Sequence, residues 1–408
     1  MALFPSQAGK IYLSYHHVDA QVICVDVFTG GFCGQFNART SVPVLNSNFQ
    51  YVGSPSQYGG QTMYQGRWMY TTITAYPKSD GSTGCAWGIM CFDTLLNQFC
   101  TSNAMAGVPN AAWLQLGSTS SACGIPGIEG GLQPYPGQAN SFVTVGPDGT
   151  LYCFQANAAT GVISTCTPST INSPQNVIPL TLTSWDAPVL VTLGSKLYSY
   201  INGVPSTPKG VALLCWDFSN AANNYKCGGA FASGPVYPGS FSLSNFYNAY
   251  FPLLTGVPVA ICTVDFAVTN AYDCVSIDAA SGTGVGVEIT NAPTLSWMVP
   301  SSFSNGNSSG TNLLPTPYYI GTKMYFGRWG YPGVDCYDWT TRASCGSVIY
   351  PVGTPNFFYQ VTQDSYGCLW ALADSGQAYV ISLSLSLSLS LSLIYHLTYL
   401  PHACKFLV

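Results

Sequence analysis

A cysteine recurs along this chain at positions 24, 91, 153, 215, 274 and 336, at spacings of 67, 62, 62, 59 and 62 residues. A period that constant restricts the fold to a tandem array of one supersecondary unit. The residues around each cysteine repeat as well. Gly9-Lys10-Ile11-Tyr12 leads to Val22-Ile23-Cys24-Val25-Asp26 and on to Cys33. Gly66-Arg67-Trp68-Met69-Tyr70 leads to Ile89-Met90-Cys91-Phe92-Asp93 and Cys100. Ser195-Lys196-Leu197-Tyr198 leads to Leu213-Leu214-Cys215-Trp216-Asp217 and Cys227. Thr322-Lys323-Met324-Tyr325 leads to Val334-Asp335-Cys336-Tyr337-Asp338 and Cys345. Gly149-Thr150-Leu151-Tyr152 opens a contracted copy that ends at Cys166. Two weaker copies run from Val257 through Cys262 to Cys274-Val275-Ser276-Ile277-Asp278, and from Gly367-Cys368-Leu369-Trp370 to Gly376. Seven copies tile the chain.

Each copy reads as β-structure. An aromatic and β-branched run follows a polar turn, a second run ends at Cys-aromatic-Asp, and a short turn leads to a returning strand with the second cysteine. Further strand-like runs, such as Ser141 to Val145 and Ala187 to Leu193, bring the count to about four strands per copy. Seven four-stranded antiparallel units predict an all-β, seven-bladed β-propeller. Its Gly/Ser-Lys-aliphatic-Tyr strand starts and aromatic-Asp turns resemble the seven-bladed propellers of the quinoprotein-like and WD40-like superfamily. The resemblance is architectural and spans nearly the whole chain. Trp185-Asp186 and Trp216-Asp217 lack the Gly-His partner of a WD40 repeat. The expected domain is 1–382, with the first and last blades sharing strands. From Ile381 the chain reads Ser-Leu repeatedly through Leu393, which a tandem CT dinucleotide encodes in any frame. Residues 383–408 are therefore set apart as a low-complexity tail.

Composition removes other classes. Only 7% of residues are charged, and Glu occurs twice, at Glu129 and Glu288, where a helix-rich protein would need many more on its exposed positions. With 47% apolar residues the chain is not disordered, and a net charge of −5 does not fit a nucleic-acid binder. The most apolar run, Phe251 to Val268, is broken by Pro252, Pro258 and Asp265, so no membrane span is expected. Met1 to Ala8 carries neither a basic nor an apolar signal region, so the chain reads as an internal start or a renumbered mature form.

The sixteen cysteines contain no C-x-x-C pair of the kind zinc and redox sites use. They fall into Cys24/Cys33, Cys91/Cys100, Cys153/Cys166, Cys215/Cys227, Cys262/Cys274 and Cys336/Cys345. These predict cross-strand disulfides, with Cys85–Cys123 as a further bridge between loops around the second blade, and place the protein outside the cell or on its surface. Where eight residues separate a pair, a symmetric hairpin sets the two cysteines directly opposite each other. Cys368 and Cys404 are left over.

Chemistry-bearing constellations are few. His16 and His17 are neighbours that would point to opposite faces of a strand, and His396 and His402 lie in the tail. No catalytic triad, metal set or cofactor site is read, and the acid-rich centre of a quinone-dependent dehydrogenase is missing. Asp26, Asp93, Asp217, Asp338 and Asp374 share one turn position, where a carboxylate nucleates the turn. Lys10, Lys196 and Lys323 read as surface residues at strand starts. Gly282-Thr283-Gly284-Val285-Gly286 has the wrong glycine offset for a dinucleotide loop. Asn307-Ser308-Ser309 is a glycosylation sequon in a polar loop, and Thr165 to Pro174 is a candidate for O-glycans.

Two functions follow from these features. A chain with so little charge, stapled blade by blade, suits a non-enzymatic extracellular assembly subunit of a filament, sheath or cell-surface coat, self-associating or joining other extracellular proteins. The alternative is a secreted carbohydrate-binding propeller, with glycans stacking on Trp113, Trp297, Trp329 and Tyr331.

Overall fold

The structure, a computed structural model, describes residues 2–6, 9–15, 21–26, 28–29, 31–37, 61–64, 66–75, 85–100, 113–119, 132–145, 150–171, 189–204, 210–236, 249–265, 271–277, 284–288, 317–328, 331–349, 358–364, 367–373 and 378–381. Among them the regular structure is antiparallel strand, apart from two short 3-10 helices, Phe218–Asn223 and Gly229–Phe231.

The strands form successive meanders. The first sheet runs Ala2–Pro5, Lys10–Tyr15, Gln21–Asp26, Phe32–Asn37. The second runs Gln61–Tyr64, Trp68–Ala75, Cys85–Asp93, after which Gln98–Phe99 and Trp113–Thr119 share one edge. The third comprises Gln133–Pro134, Ser141–Val145, Leu151–Ala156 and Ile163–Ile171. The fourth has three strands, Val189–Leu193, Lys196–Val204 and Gly210–Asp217. The fifth is Ala249–Tyr250, Ala260–Asp265, Ala271–Ile277 and Gly284–Glu288, with a small ribbon, Leu253–Leu254 paired to Val257–Pro258, rising between its first two strands. The sixth is Tyr318–Ile320, Lys323–Arg328, Tyr331–Asp338 and Ala343–Ile349, and the seventh Phe358–Gln363, Leu369–Ala373 and Ala378–Ile381. Gly284 to Glu288 is thus a strand and no phosphate loop.

First strands take part in the packing between sheets, although the sixth sheet meets the seventh mainly through its second strand, Lys323–Arg328. Ala2–Pro5 lies against Gln61–Tyr64, Gln133–Pro134 against Val189–Leu193, and Tyr318–Ile320 against Phe358–Gln363. Phe358–Gln363 also packs against Ala2–Pro5, so the last sheet adjoins the first. Such packing of successive meanders is that of a β-propeller. The expected strand sharing is not what joins first to last. Gly9, at φ +68°, and the Ser6 amide bonded to the Lys10 carbonyl turn the chain at once, so Ala2–Pro5 pairs within its own sheet.

Between sheets the core is aromatic. Tyr12 and Phe36 of the first sheet meet Phe92 of the second, Tyr70 meets Phe142 and Phe154 of the third, and Tyr250 of the fifth stacks on Trp339 of the sixth. Each sulfur bridge has at least one cysteine buried in the core, while Cys33 is partly exposed and Cys345 exposed. All six pairs are bridged, with Cα–Cα distances of 5.1, 5.3, 5.4, 6.0, 4.0 and 5.0 Å in chain order. Five join the third strand of a sheet to the segment after it. The sixth, Cys262–Cys274, joins the second and third strands of the fifth sheet as directly opposed residues. The opposed geometry expected for Cys24/Cys33 and Cys336/Cys345 is not adopted. Cys24 is in register with Gly34 and Cys336 with Gly346, so Cys33 and Cys345 are the extra residues of β-bulges. Cys368 is also disulfide-bonded, while Cys123 and Cys404 lie outside the described residues.

The third sheet departs from the sequence register. Leu151-Tyr152-Cys153 belongs to its third strand and not its second, and Val143 stands opposite Cys153 where the first, second, fourth and sixth sheets place a tyrosine.

Candidate functional site

In an antiparallel meander the turn between strands one and two and the turn between strands three and four emerge at the same end. Among the described residues the most regular chemistry of this protein lies at that end, here called the turn face.

Its unit is an aspartate that closes the third strand. The Asp26 carboxylate accepts the amides of Phe28 and Thr29, both at 2.9 Å. Asp93 accepts from Leu95 and Leu96, Asp217 from Ser219, and Asp338 from Thr340. These are the turn-nucleating bonds that the residue type favours. In the third sheet Asn157 does the same work through the amides of Ala159 and Thr160. It was missed because it stands four residues after its cysteine and not two. Asp374 lies outside the described residues.

In the first, fourth and sixth sheets the residue opening the second strand supplies a base opposite the acid. Lys10 is in register with Asp26, Lys196 with Asp217 and Lys323 with Asp338. The reading of these lysines as surface residues is corrected at Lys196, which is buried with its ammonium 3.8 Å from Asp217. The position one residue earlier adds a clasp that the sequence did not disclose. Ser195 and Thr322 donate hydroxyls to Asp217 and Asp338, and Arg67 makes two bonds to Asp93, at 2.9 and 2.7 Å. The signal was present as a hydrogen-bond donor preceding the strand start in three copies. Arg67 also lies 4.0 Å over the Trp68 ring.

Electrostatics follow from these bonds. The Thr29 amide, with the Phe28 amide and Lys10, holds the Asp26 carboxyl below its usual value. For Asp338 burial acts upward, and is outweighed by the Thr340 amide, the Thr322 hydroxyl and Lys323, so it too lies low.

Tyrosines tie the turns of the second, third and fourth sheets to the preceding sheet. Tyr12 donates its hydroxyl toward the Thr94 carbonyl and the Asn97 side chain, and Tyr70 donates to the Gly161 carbonyl at 2.9 Å. Burial, reinforced by the Asp93 charge, raises the Tyr12 phenol well above its ordinary value. Gly161 has φ +70°, and a Cβ there would come within 2.3 Å of the Trp68 indole, so both conformation and space require glycine. Tyr135 reaches the Tyr225 hydroxyl at 3.4 Å and packs edge-on to Phe218.

The same end also presents apolar side chains to solvent. Phe28, Phe32, Leu95, Leu96, Leu254 and Val257 are 45 to 68% exposed. The first four sit on or beside the turns after Asp26 and Asp93. Leu254 and Val257 flank Thr255 and Gly256, both left-handed, at the tip of the ribbon in the fifth sheet.

Of the glycan-stacking candidates, two fall within the described residues. Trp113 opens an edge strand of the second sheet and Tyr331 a strand of the sixth, while Trp297, Trp329 and Asn307 lie outside the described residues. Part of the expected O-glycan stretch is the edge strand Ile163–Ile171, on which Thr165 and Thr167 are exposed. Among the described residues no three His, Cys, Asp or Glu side chains converge as metal ligands, and no helix is long and apolar enough to cross a membrane.

No family model and no curated protein matches the chain. Among solved structures it is similar to Sqt1 of Saccharomyces cerevisiae, with 9% identity, TM-score 0.42, and 92% of this chain and 80% of that one covered. It is similar to hydrazine synthase of Kuenenia stuttgartiensis, with 10% identity, TM-score 0.48, and 94% and 95% covered. It is also similar to the Dos1 propeller, with 7% identity, TM-score 0.40, and 93% and 83% covered.

Proposed function

We propose that residues 1–382 form one closed, seven-bladed, disulfide-stapled propeller that serves as a non-enzymatic extracellular structural or assembly subunit of a filament, sheath or cell-surface coat. The observation that carries this reading is a sulfur bridge in each of six successive sheets, with at least one sulfur of every pair buried. Six crosslinks in one domain belong to an oxidising exterior. They restrain the unfolded chain sheet by sheet, which suits a component exposed to proteases and shear. With 7% charged residues, copies have little repulsion to overcome.

The test is sedimentation of the purified native protein across a concentration series and a salt series. Self-association that rises with concentration and barely weakens from low to physiological salt is expected, because screening acts on exposed charges that are scarce here. Salt-driven dissociation would contradict uncharged contacts. A protein that stays monomeric and binds a glycan array would replace this role by the carbohydrate-binding one.

A further inference from the structure

Resting on the assembly role proposed above, we infer that the turn face is the surface by which one copy meets a second copy of the same chain, face to face. Six of the seven large apolar side chains most exposed among the described residues lie at this end; the exception is Val348 on an edge strand of the sixth sheet. Single exposed apolar residues are ordinary, but their concentration at one end marks an interaction surface.

The occupant follows from charge. Each turn aspartate with a described side-chain environment faces a basic residue of its own sheet: Lys10 for Asp26, Arg67 for Asp93, Lys196 for Asp217 and Lys323 for Asp338. Among the described residues the turn carboxylates are thus balanced within their own sheets, with Lys226 and Arg342 as further cations on these turns, so the face carries no excess of acid for a basic partner. A face with so few uncompensated charges can approach a copy of itself at little like-charge cost.

The placement of the apolar groups fits a two-fold contact. One group is on the first and second sheets, the other is the ribbon tip on the fifth. In a ring of seven blades the fifth stands half a circuit from the junction of the first and second. A two-fold axis lying in the face then sets the ribbon of each copy on the Phe28, Phe32, Leu95 and Leu96 group of the other, and both contacts form at once. This is the self-complementary pattern of an isologous interface.

The experiment places the photo-crosslinking residue p-benzoylphenylalanine at Leu254 of the full chain and mixes isotopically light and heavy copies. Crosslinks between light and heavy chains should map to the segments around Phe28–Phe32 and Leu95–Leu96. In parallel, the double variants L95Q/L96Q and L254Q/V257Q should each raise the dimer dissociation constant by about tenfold or more. Both should leave the melting temperature unchanged at concentrations where the chain is monomeric, since the replaced side chains are exposed in the single chain. A chain monomeric at every concentration overturns the assembly role and this face together. A chain that self-associates, yet crosslinks from Leu254 elsewhere and is unaffected by both variants, overturns the face alone.

Discussion

The first and second sheets hold the same aspartate in the same turn, and they fasten it differently. In the second sheet Asp93 is buried, the Arg67 guanidinium grips both its oxygens, and Arg67 lies over Trp68, whose ring closes on Gly161 of the next sheet. In the first sheet the residue at the position of Arg67 is Gly9, which has no side chain to donate. The Phe28 ring covers it instead, so closely that a Cβ at Gly9 would lie 2.4 Å from the ring. Asp26 is left half-exposed with its turn amides and Lys10. One repeat position thus serves either as a polar clasp or as the seat of an exposed aromatic. Where the clasp is absent, the face gains an apolar contact.

The largest effects that separate the two sheets come from their disulfides. Cys24–Cys33 and Cys91–Cys100 have the same sequence separation of 9, so the loop-entropy part of their stabilisation cancels in the comparison. What remains is packing. Cys91 and Cys100 are both buried, whereas Cys33 is half-exposed in its bulge. Replacing both cysteines by alanine should cost about 4 kcal/mol in the second sheet and about 3 kcal/mol in the first, the excess reflecting the cavity left behind. Paired thermal or denaturant melts measure it, and equal losses would show that the bulged bridge packs as well as the buried one.

Next come the aspartates. Asp93→Ala removes two amide bonds and strands Arg67, and should cost about 3 kcal/mol. Asp26→Ala removes turn amide bonds of similar length at a half-exposed site and should cost about 1 kcal/mol, as loss of a cap does. A ratio near one would mean that Arg67, a third of whose side chain is exposed, contributes little beyond the turn itself.

Tyr12→Phe and Tyr70→Phe sharpen the comparison further. Each removes only a hydroxyl bonded to the next sheet and leaves the ring in place, so each should cost about 1 kcal/mol. Amide hydrogen exchange should show the loss at the neighbouring turn, around Thr94 for Tyr12 and around Gly161 for Tyr70. Faster exchange confined to the tyrosine's own sheet would mean that the hydroxyl does not link sheets.

These tests also mark what the sequence discloses. The turn aspartates and the third-strand cysteines were legible because each is local: a residue type at a fixed step from a strand end. The third sheet was misread because its third strand continues past Cys153 to Ala156 and turns at Asn157. That delays the turn by two residues relative to the other copies, a shift that leaves each side chain on its face and so leaves no break in the alternation. Cys262 was readable as a partner of Cys274, but its place opposite Cys274, where other sheets put tyrosine, needs the register. The tyrosine bonds between sheets span 82 and 91 residues of sequence, and no pattern within one copy announces them. The apolar group on the turn face is assembled from turns of different copies, which single-copy reading treats as ordinary exposed residues.

The smallest effect is the pH dependence of the turns themselves. Asp26 and Asp338 have carboxyl pKa values below the ordinary one in the folded chain, set by amides, hydroxyls and a lysine that the unfolded chain does not provide. Unfolded, both titrate near ~3.9. A group lowered on folding contributes stability that is complete above its unfolded value and is lost as pH falls through the folded value. The loss should therefore begin just below about pH 4 and deepen on further acidification. Asn157 shows that an amide oxygen can accept the same turn bonds. The variants Asp26→Asn and Asp338→Asn should thus keep the turn at neutral pH while removing its titration, so the melting temperature of the double variant should fall less steeply from pH 5 to pH 2. The effect should be small, because both groups remain partly accessible to solvent and each contributes only its own shift. A wild-type and double variant with parallel acid limbs would show that these carboxylates titrate alike in the folded and unfolded chain, and that the turn amides hold their positions without help from the charge.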